Sequence, residues 1–226
     1  MFKSEYQLKK KGIVGILICC YLVISHKPIF SESCEIDSFS IIVNDKNVQQ
    51  SKWEIILGNK LMYDVSKNRG QFILHAFDSA HNLCLAKKIS ITLSDYPVLK
   101  WAWKAVTLPD GAREDEKRKN DSVAGIIIGI KKGFSIHAVK YVWSTTLSVG
   151  SAVMDSKDAY DKVIVLQSGK KNLGKWEFQK VNVRDDIEKC FGKGFSRIEV
   201  VSIMTDSDNT KSSAEAYYAA IEFAKN

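Results

Sequence analysis

The sequence predicts an all-β fold, an antiparallel β-sandwich or jelly roll carrying one short helix. Short apolar or alternating segments recur along the chain, turn residues separate them, and one stretch alone reads clearly as a helix. Parallel pairing needs crossovers of a dozen or more residues, usually helical, and no such segment stands out. A doubly wound α/β sheet is therefore not expected. Composition agrees with a globular chain: 226 residues, 45% hydrophobic and 26% charged, with 13 Gly and 3 Pro, which excludes collagen-like and low-complexity classes.

Alternation places strands at Ser38–Val43, Lys52–Leu57, Leu61–Val65, Gln71–Phe77, Leu83–Leu93 and Val98–Val106. In the second half they fall at Val123–Ile130, His137–Thr145, Lys162–Gln167, Trp176–Val183, Arg197–Met204 and Ala216–Phe223. Asn68-Arg69-Gly70, Pro109-Asp110-Gly111, Lys131-Lys132-Gly133 and Gly192-Lys193-Gly194 supply the turns. The predicted helix is Asp185–Phe191, acidic at its start and closed by Gly192. The tail from Ser213 is mixed, with Ala and Glu favouring helix and Tyr217, Tyr218, Ile221 and Phe223 favouring a last strand.

Ahead of this pattern, Lys9-Lys10-Lys11 precede an apolar run from Gly12 to Ser25, followed by Pro28 and by Ser31-Glu32-Ser33. A basic head, a short apolar segment and small residues at −3 and −1 describe a signal peptide cleaved after Ser33. The run is shorter than a bilayer-spanning helix requires. The expected organisation is a leader over residues 1–33 and a single domain over 34–226, exported to the periplasm or beyond. An uncleaved N-terminal anchor, or lipidation at Cys34, is the alternative that would keep the chain membrane-associated. Cys34, Cys84 and Cys190 form an odd set, readable as one disulfide plus a thiol or as three unpaired cysteines. The net charge of +7 is partly the leader's, and the remainder is too mild to call for a nucleic-acid partner.

Several motifs could carry chemistry. Gly169–Trp176 nearly spells a phosphate loop, but Trp176 stands where a magnesium-binding hydroxyl belongs, so a hairpin turn is expected. Asp206-Ser207-Asp208-Asn209-Thr210 concentrates oxygen ligands; it reads either as an irregular calcium loop or as an Asx-turn, and its spacing is not that of an EF-hand. His75, His81 and His137 lack the paired spacing of zinc ligands. Trp101 with Trp103, and Tyr141 with Trp143, share strand faces, either as core or as a platform for sugar rings. Arg113–Lys119 reads as a solvated loop, and Asn120-Asp121 after it marks the mouth of a buried strand. No nucleophile elbow is present, and Asp121 and Asp206 are the carboxylates a glycan hydrolase could use.

Four blocks in order, YPVLKWAWK (96–104), NDSVAGI (120–126), KYVWSTTLSVGS (140–151) and IMTDSDNTKSSAEAYY (203–218), resemble the bacterial domain of unknown function 3047. That resemblance implies a β-sandwich related to galactose-binding and carbohydrate-binding jelly rolls, with Glu215–Phe223 as the final strand. It carries the family's polar signature onto Asn120, Asp121, Lys140, Trp143, Ser144, Asp206, Asp208, Asn209, Glu215 and Tyr217. Ala219-Ala220 replace an acidic residue expected after the paired tyrosines, which weakens the calcium reading. The function expected is exported, non-catalytic binding of a saccharide or envelope component. Tyr141 and Trp143 would stack the ligand, and Asp121, Lys140, Ser144, Asp206, Asp208 and Asn209 would hold its hydroxyls. No resident cofactor is expected, a structural calcium aside. A glycan hydrolase and an envelope scaffold are the alternatives.

Overall fold

A computed structural model describes residue 39 and residues 42–43, 50–157 and 161–225. The leader, Cys34 and the start of the first expected strand lie outside these residues. Two sheets face each other. One contains, in spatial order, β11 (Glu177–Asn182), β6 (Val98–Thr107), β13 (Ser213–Ala224), β4 (Gln71–Ser79) and β3 (Tyr63–Asn68), with β1 (Ile42–Val43) pairing β13. The other runs β2 (Glu54–Leu57), β5 (Asn82–Thr92), β12 (Arg197–Asp206), β7 (Ala124–Lys132), β8 (Ser135–Ser144), β10 (Asp161–Ser168) and β9 (Ala152–Met154).

Every expected strand is found in part or whole, and the tail is a strand despite its helix-favouring composition. Tyr218 faces inward from β13 and is fully buried, and Tyr217 faces outward, so pairing with β4 and β6 overrides local propensity. The helix α1 (Val183–Phe191) is capped by the Asn182 side chain, which accepts from the Asp185 N–H at 3.1 Å, and Gly192 ends it at φ 78°.

Pairing differs from expectation in two places. β8 and β10 are parallel, as are β1 and β13. The described part of the β8–β10 crossover, residues 145–157, is built from turns, bends and the three-residue β9, so no helical pattern announces it. The Gly169–Lys175 turns do not close a hairpin either. They carry the chain from β10 in one sheet to β11 in the other.

Large rings fill the space between the sheets. Trp101 and Trp103 from β6 meet Tyr141 and Trp143 from β8, with ring centroids 5.7 Å apart for Trp101–Tyr141 and 6.3 Å for Trp103–Trp143. Trp101 and Trp103 meet edge to face at 5.2 Å. All four are at most 2% exposed. Alternation in β6 turns Lys100 and Lys104 to the opposite face. Replacing Trp103 by Ala should cost about 3–5 kcal/mol, read as a lower urea midpoint at unchanged slope.

Candidate functional site

The loops joining β6 to β7 and β12 to β13 meet the β8–β10 crossover at one end of the sandwich, and most of the polar signature gathers there. Asp121, 1% exposed, accepts from the backbone N–H of Asn209 at 3.1 Å and of Thr210 at 2.7 Å, and from Thr210 Oγ1 at 2.7 Å. It thus ties the strand mouth of β7 to the turn after β12. Asp206, equally buried, accepts from Asn82 Nδ2 at 3.1 Å and from the Asp208 N–H at 3.3 Å. Carboxylate oxygens of Asp121, Asp206 and Asp208 lie within 4.8 Å of one another. Lys157 Nζ stands 3.6 Å from Asp206 and 3.4 Å from Asp208, a tethered positive charge among them.

The network extends inward. Lys140 pairs with Asp155 and lies 3.5 Å from Asp161. Burial alone would depress the Lys140 ammonium, but the charge and hydrogen bond of Asp155 and the charge of Asp161 outweigh it and hold its pKa above the ordinary value. Asn120 Nδ2 donates to Asp155 at 3.2 Å and to Ser156 Oγ at 2.7 Å. Ser144 Oγ donates to Glu114 Oε2 at 2.7 Å, and Ser122 Oγ to Glu114 Oε1 at 2.8 Å. Glu114 belongs to the run expected to be solvated, yet it is 2% exposed. The two serine hydroxyls let the loop turn this one carboxylate inward, although burial still raises its pKa.

Two expected ligand residues are corrected. Tyr141 and Trp143 cannot stack a sugar here, because both rings lie between the sheets. The Tyr141 hydroxyl donates to Asp186 on α1 at 3.0 Å, and Trp143 Nε1 donates to the Gly169 carbonyl at 3.2 Å. Of the remaining six, Asp121 contacts Asn209 and Asp206 contacts Asp208, while Lys140 is held by Asp155 and Asp161 and Ser144 by Glu114, so that together they brace the loops. The donor set has the charge and oxygen chemistry of a calcium site. It is not a ready one, since the Lys157 ammonium stands among the carboxylates and Asp121 is engaged with loop donors. Carboxylate oxygens of Asp121 and Asp206 lie within 4.8 Å, closer than the about 5–5.5 Å of a retaining glycosidase pair, and both residues are 1% exposed. Asp155, Glu114 and Lys157 complete the network and were not singled out from the sequence. Only their nearness to the quoted blocks could have marked them.

A second cluster lies on the outer face of the β11–β6–β13–β4–β3 sheet. Cross-strand register sets Asp64, His75, Tyr217 and Lys104 in one row. The His75 and Tyr217 rings stack at 4.2 Å, and His75 Nε2 lies 3.0 Å from Glu215 Oε1. Lys104 Nζ sits 3.9 Å over the Tyr217 ring and 5.6 Å from the Trp176 ring. Burial among these rings lowers the Lys104 pKa, partly offset by Glu215. Beside the row, β13 slips register between Ala219 and Glu222, with Ala220 at φ 53°. A cleft of about 340 Å³ lies there, lined by Lys100, Phe178, Lys180 and Glu222 and reaching Trp101 and Gln179. Phe178 is 79% exposed. Behind the cleft, on the inner face of β6 and β11, Trp101 Nε1 and Gln179 Nε2 are shut off from solvent and have no hydrogen-bond partner among the described residues. Trp176 and Lys104 stand in segments that read as a turn and as the reverse of an aromatic stripe, so no joint signal links them in the chain.

Burial, reinforced by Asp121 and Asp208 and opposed by Lys157, raises the Asp206 pKa from 3.8 to about 8. Between those values the folded chain keeps a proton that the unfolded chain has released, so this group's contribution to stability declines as pH rises from about 4 to about 8. The melting temperature of Asp206→Asn should therefore fall less than that of the unaltered chain between pH 5 and pH 8.5, in parallel thermal melts.

No curated protein matches the chain. Among solved structures, one similar fold is TmCBM61 in complex with β-1,4-galactotriose, at 7% identity and TM-score 0.35, covering 74% of this chain and 83% of that one. Another is the endo-1,4-β-glucanase CelB2, at 9% identity and TM-score 0.36, covering 71% and 86%. A third is a family 12 xyloglucanase from Bacillus licheniformis, at 8% identity and TM-score 0.31, covering 76% and 96%. These values are too low to transfer a ligand or a reaction. Residues 51–222 match the family model described as "Protein of unknown function (DUF3047)". With most of its length inside that match, the chain belongs to the DUF3047 family.

Proposed function

We propose that this chain is an exported, non-catalytic module that binds a saccharide on the outer face of the β11–β6–β13–β4 strands. The observation that carries the reading is the cleft of about 340 Å³ on this face, edged by the exposed ring of Phe178 and by the polar side chains of Lys100, Lys180 and Glu222. A sugar ring also has an apolar C–H face suited to an aromatic surface and hydroxyls suited to Lys100, Lys180 and Glu222. The row Trp176–Lys104–Tyr217–His75 extends the same face, enough to receive further units of a chain. The leader over residues 1–33 supports action outside the cytoplasm.

Calorimetric titration with neutral and acidic oligosaccharides tests this. Binding should weaken about tenfold or more in Phe178→Ala, a change the exposed ring leaves without effect on folding. Silence toward every oligosaccharide, or affinity untouched by both Phe178→Ala and Lys180→Ala, would count against the proposal.

A further inference from the structure

The β7–β8 hairpin ends away from both clusters in a way the proposed function does not use. Lys132 pairs with Ser135, leaving Gly133 and Phe134 as a two-residue loop, with Gly133 at φ 59°. Glycine at the first loop position suits the tight turn that matches strand twist. That turn projects Phe134 into solvent with its whole side chain exposed, and Ile136 beside it is 70% exposed. Turn tips ordinarily carry polar residues, so an aromatic ring and a β-branched aliphatic at this tip call for a partner.

The α1–β12 connection lies alongside and repeats the same four residues. Lys132-Gly133-Phe134-Ser135 in the hairpin is matched by Lys193-Gly194-Phe195-Ser196. Lys132 Nζ donates to the Lys193 carbonyl at 2.8 Å and lies 5.3 Å from the Phe195 ring. Phe195 packs against the core, tilted at 5.9 Å from Phe191 and edge-on at 5.4 Å to His137, so the two loops share a firm base. Between them they expose Lys131, Lys132, Lys193 and Arg197 and contain no acidic residue.

We infer that this tip docks on an anionic lipid bilayer, with Phe134 and Ile136 entering the interface and the four cations meeting headgroup phosphates. A projecting apolar point with a collar of one sign of charge suits a surface that yields around it. A folded protein partner would need a matching hole. Two apolar side chains and four cations give reversible association, in keeping with a contact that orients the domain without anchoring it.

The test uses the full chain carrying Phe134→Trp, mixed with vesicles of phosphatidylglycerol brominated on its acyl chains. A chain carrying Leu61→Trp serves as control. Leu61 is 96% exposed and follows β2, which runs toward the opposite end of the sheet, and this control keeps any contribution of the leader constant. The fluorescence gained through Phe134→Trp should be quenched, and that gained through Leu61→Trp should not. Quenching should fall in 0.5 M salt and in brominated phosphatidylcholine. Phe134→Ser, with an unchanged melting temperature, should reduce the phosphatidylglycerol-specific part of vesicle co-sedimentation about tenfold or more. Equal quenching of the two reporters, or none at position 134, overturns the inference. So does a tip that responds only to soluble polyanions.

Discussion

The two sheets are held by one layer of rings, Trp101, Trp103, Tyr141, Trp143 and Tyr218, and the rest of the molecule is arranged around keeping that layer dry. These side chains bury the largest apolar areas available to any residue type, and their tilted and edge-on contacts fix how the sheets lie on each other. Their polar atoms set secondary constraints. Tyr141 reaches α1 through Asp186, Trp143 reaches the Gly169 turn, and the Tyr218 hydroxyl donates to the Met204 carbonyl at 2.7 Å. Each such bond draws a peripheral element onto the core. The exceptions are Trp101 Nε1 and Trp103 Nε1, which have no hydrogen-bond partner among the described residues.

The loop end answers a different constraint. Long connections leave backbone donors that must be paired, and burying a carboxylate is costly unless hydrogen bonds and opposite charge compensate it. Asp121 satisfies two backbone N–H groups and a hydroxyl of one loop. Glu114 takes two serine hydroxyls, and Asp155 takes Lys140 and Asn120. Asp206 is least compensated, with one amide, one N–H and a lysine at 3.6 Å, which is why its proton is held so far above the usual carboxylate range. The same features that look like a catalytic or metal centre in a list of residues are, in space, a mutual brace.

Strand existence was legible because a half-buried strand must alternate, and Leu99–Ala105 shows that period, with Lys100 and Lys104 opposite Trp101 and Trp103. The family blocks were legible as residue strings. Their meaning was not, since one strand face looks like the other until a second sheet covers it. Lys104 and Trp101 differ by an odd number of positions on β6, and nothing in that strand alone says which face meets solvent. Parallel pairing of β8 with β10 escaped notice because its crossover has no periodicity of its own.

By itself, then, the chain determined which segments are extended, where they turn, and that a short helix closes at Gly192, because these depend on neighbours a few residues away. Tertiary structure alone decided that the Trp/Tyr stripes are core, that Glu114 turns inward, and that His75, Lys104, Trp176 and Tyr217 form one surface row. Those outcomes depend on which strands become neighbours, and pairing between residues 75, 104 and 217 is fixed by packing across the whole sandwich, over separations that no local pattern spans.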